Sequence, residues 1–292
     1  MSDLDFSSTT PMKPAPQPAA PPPPPVYNAA MAMAFFKAAG KPEGFEPGKT
    51  IFAEDEKGGL FSRAKMYLLI VGEVEMLAQN KVIGTVKAGE VFGEMAVIAQ
   101  AARTATARAK SECTVIGLDD KQFVSALQEK PEFALMMMSI MNARLRSTIN
   151  RLRSSGALHA GVTLQSAVFD KKMLAGLARL LAGQEPVLYT SGKMIMQEGS
   201  AGALMYVVLE GSVAISIKGG LVAKVGPGGV FGEMALVDQA VRAATATAEA
   251  DCNLLAINRN AFLQLVKTSP AFGISLLNGI AERAKDLAAR NK

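Results

Sequence analysis

Two kinds of apolar pattern alternate along this chain, and the second half repeats the order of the first. Short runs, bounded by glycine, in which apolar residues are continuous or alternate with polar ones predict strands. They are MYLLIVGEVEML, KVIGTV, TATARA and CTVIGLD in the first half, and MYVVLEGSVAISI, LVAKVG, ATATAEA and CNLLAIN in the second. Longer runs predict helices: AAMAMAFFKAAG from Ala29, DDKQFVSALQEK behind Asp119 as N-cap, and PEFALMMMSIMNARLRSTINRLR starting at Pro131. The second half has a counterpart of the last, PAFGISLLNGIAERAKDLAARNK, and opens with the helical SAVFDKKMLAGLARLLAG. SSGALHAG, at 154–161, breaks the long helix between the halves.

The repetition has a fixed register. Tyr67, Gly72, Gly89, Phe123 and Pro131 are matched 139 residues on by Tyr206, Gly211, Gly228, Phe262 and Pro270. Upstream the offset becomes 144, as Gly48 and Gly192 show, so the first copy carries a five-residue insertion around EDEKGGLFSRAK. A period this long means domain duplication, not a solenoid. The expected architecture is α+β: two tandem domains, 29–155 and 160–292, each a short-stranded β-roll flanked by helices. A proline-rich tail, 1–28, precedes them. Nine of the fifteen prolines fall between Pro11 and Pro25, and the tail reads as a disordered or polyproline-II spacer. Docking to a proline-binding module is the alternative.

Composition narrows the class. A chain of 292 residues, 49% hydrophobic and 20% charged, can bury two cores and is typical of soluble globular proteins. The apolar runs are too short for a membrane span, and the acidic start MSDLDFSSTT is no secretory signal. Cys113 and Cys252 are themselves 139 apart, which places them at the same buried position of the two copies, not in a mutual disulfide. A cytoplasmic location fits. Two cysteines and one histidine make no metal cluster. His159, in the interdomain linker, stands without a catalytic constellation, and no nucleophile or general-base pair marks an enzyme. A net charge of +5 suits an anionic ligand or partner, without choosing among nucleic acid, acidic protein and a small phosphorylated molecule.

The candidate chemistry lies in FGEMAVIAQAARTATARA, at 92–109, and FGEMALVDQAVRAATATA, at 231–248. Gly93 and Gly232 allow close approach of the backbone. The amides of Met95 and Ala96, and of Met234 and Ala235, open a short helix with free N–H groups, and Arg103 and Arg242 add positive charge. Such a site suits a phosphate. Glu94 and Glu233 would repel it unless they engaged a donor of their own, and a sugar hydroxyl next to the phosphate is such a donor. The pair therefore suggests a phosphorylated nucleoside; an internal Glu–Arg pair closing a loop is the bland alternative.

Both stretches resemble the phosphate-binding cassette of cyclic nucleotide-binding domains, and the likeness covers roughly 42–153 and 186–290. The resemblance implies that Glu94 and Glu233 hold the ribose 2′-OH. It implies that Arg103 and Arg242 pair with the cyclic phosphate of cAMP or cGMP, aided by amides near Met95, Ala96, Ala105, Met234, Ala235 and Ala244. The base would lie on the β-roll wall under the helix that follows, and ligand would swing that helix. Arg144 and Arg283, 139 apart, match the helix position whose arginine meets the cassette glutamate in catabolite activator protein, and Thr148 matches an adenine-capping threonine. Leu287 stands at that second place in copy two, which has no hydroxyl to cap the base there. Thr104 and Ala243 are the polar difference between the cassettes; R-T-A-T resembles the cyclic-GMP-dependent kinases and R-A-A-T the cyclic-AMP-dependent ones.

The reading is a receptor for cyclic nucleotide, without metal or catalytic domain, that signals through a protein effector. Met136–Met138 and Met141 are expected in the core. The basic helix face bearing Arg144, Arg146, Arg151 and Arg153 reads as solvated, with a homodimer seam through the C-terminal helices or an acidic partner next. With Lys292 closing the last helix, no helix-turn-helix follows and DNA binding is not expected. The rivals are a scaffold or assembly protein with degenerate ligand sites and a nucleic-acid-binding regulator.

Overall fold

A computed structural model describes residues 28–57, 63–154, 163–165, 167–181, 183, 185–238 and 241–289, with the side chains of 144, 146–154, 163–165, 235, 238 and 284–289 excepted. The proline-rich tail to residue 27, His159 and the core of the five-residue insertion lie outside it, as do the side chains of Arg144, Thr148 and Leu287.

Each repeat is a roll of two sheets built to one plan. In the first, Pro42–Phe45, Cys113–Asp119, Lys65–Val71 and Val91–Phe92 form one four-stranded antiparallel sheet. Thr50–Phe52, Thr106–Ala109, Glu73–Ala78 and Lys81–Lys87 form the other. The second repeat reproduces both, with Val187–Tyr189, Cys252–Asn258, Leu204–Glu210 and Val230–Phe231 facing Met194–Met196, Thr245–Ala248, Val213–Ile217 and Gly220–Val225. The alternation of the strands explains the roll: Phe52, Tyr67, Leu69, Val74, Phe92, Ala107 and Val115 turn inward to one core. Tyr206, Val208, Val213, Phe231, Ala246 and Leu254 do the same in the second repeat. Cys113 and Cys252 are buried and free, each Sγ donating to a backbone carbonyl at 3.1 Å, of Glu73 and of Ser212.

Seven short strands were not foreseen: Pro42–Phe45, Thr50–Phe52 and Val91–Phe92, their counterparts Val187–Tyr189, Met194–Met196 and Val230–Phe231, and one more between the repeats. Thr163–Gln165, in the segment joining the repeats, pairs in parallel with Ala223–Val225 and makes the second sheet five-stranded. Among the described residues the matching edge, Lys81–Lys87, has only its hairpin partner, and Val82 and Ile83 are exposed there.

Side-chain caps open the helices, at Asp119 as the sequence predicts and at Asn258, which was not foreseen. Asp119 accepts from the amide of Gln122 while the Gln122 side chain accepts from the amide of Asp119, closing a capping box at the start of Asp120–Glu129. Asn258 caps Arg259–Thr268 through the amide of Ala261. The long helices Glu132–Ser154 and Pro270–Ala289 then run together, and a continuous apolar core joins the repeats through them. Met136, Met137, Met138 and Met141 lie inside it with Phe272, Leu276, Leu277 and Ile280, so the methionine run is core, as expected.

Candidate functional site

In each repeat the cassette begins where the two-residue strand, Val91–Phe92 or Val230–Phe231, ends at a glycine in the left-handed region. Gly93 has φ of 71° and Gly232 of 75°. A side chain at either would be strained and would press on the arginine, whose Nη1 lies 3.0 Å from the Cβ position at Gly93 and 2.7 Å from that at Gly232. The turn delivers the chain into one short helix, Glu94–Ile98 or Met234–Asp238, whose apolar residues Val97, Ile98 and Leu236 anchor it in the joint core. Met95 and Ala96, and Met234 and Ala235, thus occupy the first turn, as the sequence predicts.

The charged residues are all buried. Glu94 is 0% exposed, Arg103 5%, Glu233 5% and Arg242 6%. Arg103 donates from Nη1 to the Gly93 carbonyl at 2.8 Å and from Nη2 to the Lys65 carbonyl at 2.7 Å, with its guanidinium carbon 4.0 Å above the Phe52 ring. Arg242 donates from Nη1 to the Gly232 carbonyl at 3.1 Å. The backbones of both arginines are fixed identically: Arg103 exchanges hydrogen bonds with Asp55 and Glu56, and Arg242 with Gly199 and Ser200. Burial lowers the pKa of each guanidinium from its ordinary value; nearby Tyr67 and Glu56 oppose this at Arg103, and Tyr206 and Glu233 at Arg242. Burial in turn raises Tyr67, against the pull of Arg103.

Neutral carbonyls satisfy donors without cancelling charge. A guanidinium inside the fold and held by carbonyls keeps its charge and can attract an anion in a medium of low dielectric constant. The arrangement therefore offers a fixed cation, the amides of a helix turn and a buried carboxylate, side by side, in each repeat.

Thr104 and Ala243 are exposed in the bend after the arginine, and the strand starts only at Thr106 or Thr245, later than the apolar pattern suggests. Ala105 and Ala244 point into the rolls. The next threonines are structural: Thr106 Oγ1 accepts from the amide of Glu54 at 2.9 Å and Thr245 Oγ1 from that of Glu198 at 3.0 Å. From the last helix Arg283 reaches the second cassette, with Nη1 2.8 Å from Glu233 Oε1 and Nη2 donating to the Val230 carbonyl at 3.0 Å.

Sequence reasoning missed three contributors. Phe52 is an apolar residue among many, and the Lys65 carbonyl has no sequence signature. Gly202 packs so closely on the Arg242 guanidinium that no Cβ fits between them, yet in the string GSAGA it reads as an ordinary turn residue. Among the described residues no group of three or more His, Cys, Asp or Glu could hold a metal, and no helix is long and apolar enough to cross a membrane.

A profile of the family described as cyclic nucleotide-binding domain matches residues 42–130 and 186–269, once per repeat and across more than half the chain. The cGMP-dependent protein kinase, isozyme 1, of Drosophila melanogaster is 26% identical over 230 residues, 75% of this chain and 26% of that protein. The cAMP-dependent protein kinase regulatory subunit of Eremothecium gossypii is 24% identical over 225 residues, 75% of this chain and 42% of the relative. The chain thus spans less than half the length of these relatives. Among solved structures, the regulatory domain of Toxoplasma gondii PKA crystallised with cAMP aligns over 89% of each chain, at 21% identity and a TM-score of 0.31.

Proposed function

Because the chain belongs to the cyclic nucleotide-binding domain family, we propose that it is a receptor for two cyclic nucleotides, cyclic AMP or cyclic GMP, one per repeat. Its output is a conformational change read by a protein effector, in the cytoplasm. One observation carries the reading: in both repeats a buried arginine, bonded to uncharged carbonyls, stands beside a buried glutamate at a helix-opening glycine. Arg103 and Arg242 take the cyclic phosphate, with the amides of Met95–Ala96 and Met234–Ala235; Glu94 and Glu233 take the ribose 2′-OH. By their place in the sequence Arg144 and Thr148 are assigned to the first site and Arg283 to the second. The names of the relatives, which include kinases dependent on cGMP and on cAMP, fit either base.

Calorimetric titration of the whole chain with cyclic AMP and with cyclic GMP tests this, and the expected stoichiometry is two. Removing a charged hydrogen bond to phosphate costs about 1.5–3 kcal/mol, so Arg103→Ala or Arg242→Ala should weaken its own site by at least about tenfold. Both substitutions together should abolish measurable binding. A double variant that binds like the parent would defeat the proposal.

A further inference from the structure

The outer edges of the two rolls are finished differently. In repeat two, Thr163–Gln165 lies just ahead of the helix that opens the repeat and pairs with Ala223–Val225. Ala223 and Val225 are buried there. The equivalent positions in repeat one, 139 residues earlier, are Gly84–Val86, on an edge with no second partner among the described residues. Gly84 and Thr85 are exposed, and Val82 and Ile83 beside them are 57% and 63% exposed. Alternate N–H and C=O groups of such an edge point away from the hairpin and can pair with another strand.

The residues next to repeat one cannot copy the device. Counted back from the helix caps, Asp170 and Asn28, the place of Thr163–Gln165 falls on Pro21–Pro23. Proline has no N–H to give to a ladder. The edge itself says what kind of strand would suit it. Lys110, Glu73 and Lys87 form a row across the sheet: Lys110 Nζ is 2.8 Å from Glu73 Oε2, and Glu73 is registered opposite Lys87. This row alternates in sign and ends on a positive charge, which an acid on an added strand would continue. Lys81 stands at the other end of the same strand, and among the described residues neither Lys81 nor Lys87 is in an ion pair. Val86, pointing the other way, belongs to the core of the roll. A fitting strand therefore alternates acidic and apolar residues.

The chain contains such a stretch. Asp3, Leu4, Asp5 and Phe6 alternate in this way, Ser7, Ser8, Thr9 and Thr10 follow, and there is no lysine or arginine among them. In an extended chain both acids share one face, and Leu4 and Phe6 the other. We propose that residues 3–9 add to the Gly84–Val86 edge as the strand that repeat one otherwise lacks, with the proline-rich stretch as their spacer. The acids extend the row beyond Lys87, and Leu4 and Phe6 close over the roll beside Val86. Reach is sufficient. A Cβ on Gly89, two residues past the edge strand, would lie 3.6 Å from the Cβ of Ala29, so the tail joins the fold at one end of that strand. A proline-rich chain extends about 3.1 Å per residue, so residues 11–27 can span roughly 50 Å, against roughly 20 Å for the strand. A tether of this kind holds the segment at a local concentration in the millimolar range. A second copy of the edge is the poorer occupant, because two such strands laid antiparallel about Gly84 would set Lys81 against Lys87.

Hydrogen exchange, followed residue by residue on the whole chain without nucleotide, tests this independently of the receptor reading. The outward amides of 82–86 should exchange at least about tenfold more slowly in the full chain than in one lacking residues 2–10. Those of Ala223–Val225 should be alike in both, which also shows that the shortened chain is folded. Leu4→Ser with Phe6→Ser should release the edge as the deletion does. Lys87→Glu should reduce the protection by up to about fivefold, the range of an exposed ion pair, and adding Asp3→Lys with Asp5→Lys should restore it. Equal exchange at 82–86 in the full and shortened chains would overturn the proposal. So would protection passed in a mixture from the full chain to an isotope-labelled shortened one, which would give the edge to the tail of a second copy.

Discussion

The two repeats carry the same arginine on the same backbone frame but surround it differently. Arg103 has two carbonyl acceptors, at 2.8 and 2.7 Å, and an aromatic ring at 4.0 Å. At the second site Met196 takes the place of Phe52, and Gly202 lies flat against the guanidinium. The position corresponding to Gly202 falls in the five-residue insertion of repeat one, where 58–62 lie outside the described residues. Duplication kept what fixes the arginine backbone, the exchange with Asp55 and Glu56 or with Gly199 and Ser200, and varied what touches its side chain. On the proposed reading, affinity at the two sites can therefore be tuned separately without disturbing the cassette.

The largest break in this comparison is expected from Gly202→Ala. The added methyl would collide with the Arg242 guanidinium, which is buried and held by the Gly232 carbonyl and so has little room to retreat. Overpacking of this kind costs about 1–3 kcal/mol. The second site should lose several-fold to about a hundredfold in affinity, while the first, measured in the same titration, stays as it was. An unchanged second site would mean that Arg242 works from another rotamer.

A smaller effect is expected from Phe52→Met, which gives the first repeat the residue of the second. The ring supports a desolvated cation, worth about 0.5–2 kcal/mol. Without it the guanidinium loses orientation before the ligand arrives, and ordering it again draws on binding energy. First-site affinity should fall by about two- to thirtyfold when measured with the second site silenced by Arg242→Ala. Met196→Phe should shift the second site in the opposite direction. Equal affinities for parent and variant would assign Phe52 to the core alone, where it stacks with Tyr67 and Phe92 at centroid distances of 5.9 and 6.0 Å.

What the sequence reveals of all this divides along a physical line. The longer strands, the Asp119 cap, the matched cysteines and the Gly–Glu–Arg spacing are local patterns, and two copies in one register help to make them legible, whereas two- to four-residue strands such as Val91–Phe92 are too short to show a period. The Thr163–Gln165 strand exists because Ala223–Val225, sixty residues further on, accepts it, and three residues carry no periodicity of their own. Likewise the methionine run announces burial but not its partner, since burial says nothing about which surface does the burying. The contact of the long helices did leave a trace, in the small residues Ala134 and Gly273 at one position of both repeats, whose Cβ positions lie 3.8 Å apart. Carbonyls such as that of Lys65 leave none, because every residue has one.

The smallest expected effect concerns the one polar difference inside the cassettes. Thr104 and Ala243 are both exposed in the bend that follows the arginine, whereas Thr106 and Thr245 spend their hydroxyls on the backbone of Glu54 and Glu198. Thr104 therefore stands exposed next to Arg103, and alanine at 243 offers no hydroxyl. Guanine carries a 2-amino donor that adenine lacks, and in the syn conformation this group folds back over the ribose toward the phosphate. A hydroxyl next to the arginine proposed to bind the phosphate can accept from it. A net hydrogen bond contributes about 0.5–1.5 kcal/mol, so the bias is about two- to tenfold and no absolute gate. The first site should accept cyclic GMP relatively better than the second, and Thr104→Ala should lower its cyclic GMP to cyclic AMP affinity ratio by that factor. Ala243→Thr should raise the ratio at the second site in the same measure. Titrations of both nucleotides into chains with the other site silenced give the four ratios directly. Identical ratios at the two sites, or a ratio indifferent to both substitutions, would place the discrimination of the base elsewhere, on the wall of the roll and the helix above it.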